Sequence, residues 1–206
     1  MKSPALIRRK FIKSLLSLPI LSLFPVKVSA ATRTPRSTEG PFYPSSSMQF
    51  SDINNNLVKI SGAVKEAGGE VITLSGRVLD TDENPIKGAR VEIWQCDVNG
   101  HYLHTSDRNS VADNGFQGFG HSITGSDGIY SFITIKPVPY PGRTPHIHVK
   151  AFANGRELTT QFYLNDHPQN NSDFLYARLS NAQKAAVGMT LVKGSNGLVA
   201  TTDIVI

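Results

Sequence analysis

From residue 71 onward the chain alternates between apolar and polar side chains. Val71-Ile72-Thr73-Leu74-Ser75-Gly76-Arg77-Val78-Leu79 keeps a period of two, which predicts a half-buried strand. Asp82-Glu83-Asn84-Pro85 is a turn. Ala89 to Trp94 alternates again, with Ala89, Val91 and Ile93 on one face and Arg90, Glu92 and Trp94 on the other. Ser126-Asp127-Gly128 predicts a turn before a strand over Ile129 to Ile135. Further strands are expected over His146 to Ala153, Leu158 to Leu164 and Leu198 to Ile206. The one helical stretch is short, Ser180 to Val187, with Ser180 or Asn181 as its cap. Many short strands separated by Gly, Pro and Asp turns predict an all-β fold, an antiparallel β-sandwich over residues 70–206. Residues 31–69 read as an N-terminal arm and linker, because Thr32 to Pro44 holds three prolines and Ser45-Ser46-Ser47 and Asn54-Asn55-Asn56 are breaker clusters.

Residues 1–30 have a different character and read as a signal peptide. Ile7-Arg8-Arg9-Lys10-Phe11-Ile12-Lys13 precedes a mild apolar run from Ser14 to Phe24, too short for a permanent membrane span, and Val28-Ser29-Ala30 offers cleavage after Ala30. The Arg pair, the aromatic two residues on and the following Lys match a twin-arginine export signal, with an ordinary secretory signal as the alternative. Export to the periplasm is the expectation. The charge follows the same division. The full chain of 206 residues carries +5, but six basic residues and no acid lie in residues 1–30, so the remainder holds 15 basic against 16 acidic residues. That near-neutral body excludes a nucleic-acid partner held by a general basic field. One cysteine, Cys96, excludes a disulfide framework and a thiolate cluster within this chain.

Candidate chemistry concentrates in Pro137-Val138-Pro139-Tyr140-Pro141-Gly142-Arg143-Thr144-Pro145-His146-Ile147-His148. His146 and His148, two apart on a strand, leave the same face while Ile147 faces apolar packing. Two imidazoles so spaced can share a metal, or can be ordinary hydrogen-bonded strand histidines. No Asp or Glu lies between Asp127 and Glu157, so a local carboxylate donor is lacking. Tyr140, bracketed by Pro139 and Pro141, is the nearby donor; a phenolate is a hard anion that, with imidazoles, favours ferric iron over zinc or ferrous iron.

The ordered pieces Thr38-Glu39-Gly40-Pro41-Phe42-Tyr43, Gly76-Arg77-Val78-Leu79, Glu92-Ile93-Trp94-Gln95-Cys96-Asp97, Gly100-His101-Tyr102, Thr124-Gly125-Ser126-Asp127-Gly128-Ile129-Tyr130-Ser131-Phe132, Pro139-Tyr140-Pro141, Arg143 with His146-Ile147-His148, and Thr160-Gln161-Phe162-Tyr163 span about residues 37–165. Together they resemble the intradiol ring-cleavage dioxygenases, the catechol and protocatechuate 3,4-dioxygenase type. The resemblance implies a ferric iron, Fe(III), held by Tyr102, Tyr140, His146 and His148. Tyr102 is expected to stay bound and Tyr140 to leave when substrate arrives. Arg143 matches the active-site arginine and Gln161 the glutamine beside it. The implied reaction inserts both atoms of O2 into an aromatic diol and yields a muconate-type diacid; assembly of several chains into a homo-oligomer is a further expectation. In the protocatechuate enzymes the loop after the second tyrosine is longer and carries a tryptophan just after Tyr-Pro. Here Gly142 stands in that place and five residues separate Tyr140 from His146, so part of the substrate wall is missing.

Plainer readings stand beside these. Tyr102 can be a half-buried strand tyrosine, Arg143 a surface charge, and Gln161 a solvent-facing strand residue. Trp94 and Cys96 read as core, and His101, His104, His121 and His167 as surface or supporting groups. A non-catalytic sandwich of the transthyretin or carboxypeptidase-regulatory kind fits Leu74 to Ile93 nearly as well, but gives no reason for Tyr140, Arg143, His146 and His148 to occur together. A periplasmic copper- or zinc-binding protein is the third reading.

Overall fold

The structure is a computed structural model and describes residues 31–45, 53–62, 65–107 and 112–206. The export signal expected in residues 1–30 lies outside the described residues. Two sheets face each other. In the first, β1 (Val71–Leu79) is central: β4 (Ile129–Ile135) pairs with it antiparallel, β9 (Gly197–Thr201) and β10 (Ile204–Val205) pair with it parallel, and β8 (Val192–Gly194) pairs with β9. The second sheet runs β3 (Phe119–Ile123), β2 (Arg90–Trp94), β5 (His146–Ala153), β6 (Arg156–Leu164), β7 (Gly188–Met189). Leu74, Val78, Phe132, Val91, Ile93, Ile147, Val149 and Phe162 are fully buried between the sheets. Each such side chain contributes about 1.5–3 kcal/mol relative to exposure.

The expected sandwich is therefore present, but its sheets are mixed rather than purely antiparallel. Parallel pairing needs a crossover, and residues 165–187 supply one between β6 and β7, through 3₁₀ turns at Pro168–Ser172 and Tyr176–Arg178 and helix α1 (Asn181–Val187). Helix α1 starts where the sequence predicts: the Ser180 hydroxyl accepts from Gln183 N, and Gln183 reaches back to the Ser180 amide. The strand expected over Leu198 to Ile206 divides into β9 and β10 because Thr202 and Asp203 bulge from the ladder. The Thr202 carbonyl accepts from the buried Tyr130 hydroxyl, and the Asp203 carboxylate accepts from the Arg77 amide and guanidinium at 2.8 and 2.7 Å. Gly76 makes that bulge possible, since a Cβ there would lie 1.8 Å from the Thr202 carbonyl oxygen.

Strand β3 was not predicted. Phe119-Gly120-His121-Ser122-Ile123 has no apolar alternation; it is a strand because it pairs with β2. Gly120 there leaves room for Leu57, which is fully buried. The arm has little regular structure but lies on its own sandwich: Thr34 N donates to Val205 O and Ser37 N to Thr159 O, at 3.1 and 2.8 Å.

Gly76→Ala is expected to lower stability by about 3 kcal/mol, the upper range for overpacking against backbone. A urea titration checks this; an unchanged midpoint would contradict the close contact with Thr202.

Candidate metal centre

The outer face of the second sheet carries the site. Strand register aligns Phe119, Trp94, His148 and Gln161 across four strands, with His146 opposite Tyr163. Polar residues on such a face normally meet water. Here loops cover them, and His146, His148 and Gln161 are buried. Nδ1 of His146 donates to the Thr144 carbonyl at 2.7 Å, which leaves Nε2 with its lone pair free. That Nε2 lies 3.2 Å from His148 Nε2 and 3.5 Å from the Tyr140 hydroxyl. The His148 ring stacks on Trp94 with centroids 4.8 Å apart. So Trp94, read as core from the sequence, forms the wall behind a histidine.

Tyr140 and Arg143 are brought together by a four-residue turn. Pro141 occupies its second position, Gly142 with φ of 81° its third, and Arg143 N donates to Tyr140 O at 2.9 Å, the pattern of a type II turn. Arg143 Nη1 then sits 3.4 Å from both the Tyr140 hydroxyl and His146 Nε2. Its Nη2 donates to Gln161 Oε1 at 2.6 Å, and Tyr163 donates to the same oxygen at 2.8 Å. Its Nε donates to Asp173 at 2.8 Å. Asp173 was missed by sequence reasoning. It is fully buried, and it also accepts from the Thr144, Leu175 and Tyr176 amides. A buried pair satisfied this completely holds its arginine in one orientation. The only sequence signal was an acid three residues before Tyr176, a helix-cap spacing with nothing to connect it to Arg143.

Tyr102 lies in a loop, not a strand. It is buried, its ring stacks on Phe42 at 4.3 Å and meets Tyr140 edge-on at 5.7 Å, and among the described residues no other group than the Tyr140 phenol is close enough to partner its hydroxyl. Three acids hold the loop. Asp107 accepts from Tyr102 N at 2.7 Å; Asp97 accepts from the Asn99, His101 and Asp113 amides; Asp113 accepts from Lys65 and the Gly68 and Gly115 amides. The arm closes the other side. Gly40 lies against His148, Lys150 binds Glu39 at 2.6 Å, and Tyr43 donates to Glu92 at 2.7 Å.

Burial sets the charges. It pushes His146 down to about 4, with Arg143 adding to the effect, and drives His148 well below the ordinary imidazole value. Both rings are neutral at pH 7, with lone pairs available. Burial raises Tyr102 well above the ordinary phenol value, so only a strong local cation would deprotonate it. Burial also pushes Cys96 up to about 12, an inert thiol. Two neutral imidazoles with Nε2 atoms 3.2 Å apart share one hydrogen bond, His148 Nε2–H donating to His146 Nε2, and moving that proton to His148 Nδ1 would let both nitrogens reach one ion at about 2 Å. With the Tyr140 hydroxyl beside them and the buried Tyr102 hydroxyl under Phe42, the donor set fits a hard metal ion. Among the described residues no group of three or more His, Cys, Asp and Glu gathers, so the phenols are the donors that join the histidine pair. His101, His104, His121 and His167 are not brought to this centre: His101 faces Asp107, His104 caps Ser106, His121 stands opposite Glu92 on β3, and His167 caps a 3₁₀ turn.

Known proteins share this arrangement of chain. A family described as Dioxygenase matches residues 38–205. The protocatechuate 3,4-dioxygenase beta chain of Burkholderia cepacia is 38% identical over 127 residues, 57% of this chain and 52% of that protein. The alpha chain from the same organism is 30% identical over 161 residues, 75% of this chain and 81% of that one. The dioxygenase domain of a dioxygenase carbohydrate-binding protein fusion from Streptomyces sp. SirexAA-E superposes with a TM-score of 0.66 at 35% identity, covering 85% of this chain and 98% of that domain. The chain spans about half the length or less of the first curated relatives it matches.

The Asp113 carboxyl is held down at about 2, first by Lys65 and then by the Gly68 and Gly115 amides. A depressed carboxylate stabilises the fold above its unfolded value near 4, and that stability is lost as pH falls toward 2. The melting temperature is therefore expected to fall between about pH 4 and 2, and Asp113→Asn should flatten that limb while lowering stability at pH 7. An acid limb unchanged in Asp113→Asn would contradict this.

Proposed function

The chain belongs to the intradiol ring-cleavage dioxygenase family, and from that premise we propose that it cleaves a catechol-type aromatic diol between its two hydroxyl-bearing carbons, using O2 and ferric non-haem iron. The supporting observation is the meeting of two imidazole nitrogens and the Tyr140 phenol within 3.2 to 3.5 Å, next to the buried Tyr102 phenol, which among the described residues has no partner beyond Tyr140. A plain sandwich module has no use for that cluster. Tyr102, Tyr140, His146 and His148 would hold the iron. When bound, it would withdraw electron density from a chelated diol and make the ring reactive toward O2.

The protein groups divide the remaining work. Tyr102 is buried beneath Phe42 and stays fixed. Tyr140 is half-buried on a loop and is the phenol free to swing away. Its burial raises its proton affinity, so its Oη, once free as a phenolate, would take a proton from the incoming diol. Arg143 Nη1, fixed by Asp173 and Gln161, faces the same space and stabilises negative charge that develops on the substrate. Both atoms of O2 end in the product, so a dihydroxybenzene becomes a ring-opened dicarboxylic acid without loss of atoms.

Curated relatives are named for protocatechuate, catechol and hydroxyquinol, and a 1,2-benzenediol is common to all three. We place this chain's substrate in that class. The wall near Gly142 is open, since a Cβ there would meet nothing within 4 Å. The signal read in residues 1–30 puts the working enzyme in the periplasm.

Four outcomes test this reading. Protein produced with iron should be red from tyrosinate-to-ferric charge transfer, and Tyr102→Phe or His148→Ala should bleach it or strip the metal. A colourless, iron-free folded protein would remove the ligand assignment. Arg143→Ala should keep iron and lose about 10²–10³ in kcat, measured by oxygen uptake over a panel of diols. Cell fractionation should find a mature chain starting at Ala31 in the periplasm, and paired Arg8→Lys and Arg9→Lys should hold it in the cytoplasm.

A further inference from the structure

Beside Gln161 and Tyr163 lies a cavity of about 380 Å³ between the arm, β6 and the turn that follows Asp173, with neither histidine in its lining. Its walls include the apolar side chains of Leu175 and Leu179. Arg36 and Arg178 line it, and among the described residues no acid does. Arg36 donates to the Glu157 backbone carbonyl, while Arg178 has no ion pair among the described residues. Gln161 and Tyr163 also line it, and Tyr163 donates to the same Gln161 oxygen that accepts from Arg143. A slot lined by leucine, by two arginines with no ion pair among the described residues and by a tyrosine suits a small flat acid: its carboxylate would meet arginine, Arg178 first, and its carbon body leucine.

We propose that this cavity is a second binding site, for a small carboxylic acid with a flat apolar body. An acid that accepts from Tyr163 Oη competes with Gln161 Oε1 for that hydroxyl, so occupancy is felt at Arg143. Two sources share this chemistry, an aromatic acid and the ring-opened diacid; naming the diacid rests on the function proposed above, whereas the site itself does not.

Calorimetric titration of the iron-loaded chain with benzoate and with cis,cis-muconate tests it, with the visible spectrum recorded in parallel. The expected result is saturable binding of at least one acid with the iron colour unchanged. Arg178→Ala should weaken it at least tenfold, and Leu175→Trp, which fills the slot, should abolish it. Both variants should keep diol turnover in the absence of acid. Saturating acid should shift the KM for diol at least twofold in the parent and not in Arg178→Ala. Tighter muconate binding identifies a product site, and tighter benzoate binding an aromatic-acid site. No binding, binding that shifts the iron colour, or binding indifferent to Arg178→Ala would overturn the proposal, as would an unchanged KM. Should the chain take up no iron, the function proposed above fails while the Arg178 dependence still decides the cavity.

Discussion

The two-residue alternation of β5 is the constraint from which the rest of the site follows. Ile147, Val149 and Ala151 are fully buried between the sheets, so His146 and His148 must emerge on the opposite face. A slip of one residue would drive two imidazoles into the core and these three apolar groups out of it. Pairing on both sides then carries the consequence across the sheet. Trp94 is set beside His148 from β2, and Gln161 and Tyr163 are set beside the histidines from β6. Core packing thus aims the chemistry, although no catalytic group lies in the core.

What turns an exposed sheet face into a metal centre is its cover. The arm, the acid-pinned loop bearing Tyr102, the Pro141-Gly142 turn and the Asp173 segment shut out water from four sides. Exclusion of water disfavours charge on every titratable group beneath: histidines shed protons and tyrosines keep theirs. A cation in their midst reverses the penalty for the phenols and makes use of the lone pairs of the imidazoles. Arg143 is a fixed positive charge beside the histidines, and it is neutralised in part by Asp173 rather than by solvent.

Much of this was legible in the residues. The strands β1, β2, β4, β5 and β6 follow from period-two patterning, and α1 from its cap. Tyr102, Tyr140, Arg143, His146, His148 and Gln161 were named from an ordered motif, and the structure gathers all six into one region. The rest depended on contacts distant in sequence. Strand β3 has no pattern of its own and exists by pairing. The parallel partners of β1 depend on a bulge at Thr202 that only Gly76 permits. Asp173 lies 30 positions from the arginine it fixes, and Asp97, Asp107 and Asp113 look like ordinary loop acids until their amide partners are known. Trp94 was placed on the correct face by alternation, but stacking on His148 cannot be read from alternation.

The central claim is that two phenols and two imidazoles surround one iron atom. The most direct test is anomalous X-ray diffraction at the iron absorption edge from crystals of iron-loaded protein. One strong peak is expected within bonding distance of Tyr102 Oη, Tyr140 Oη, His146 Nε2 and His148 Nε2. A peak elsewhere, or a fully loaded crystal whose iron touches the histidines but neither tyrosine, would contradict it.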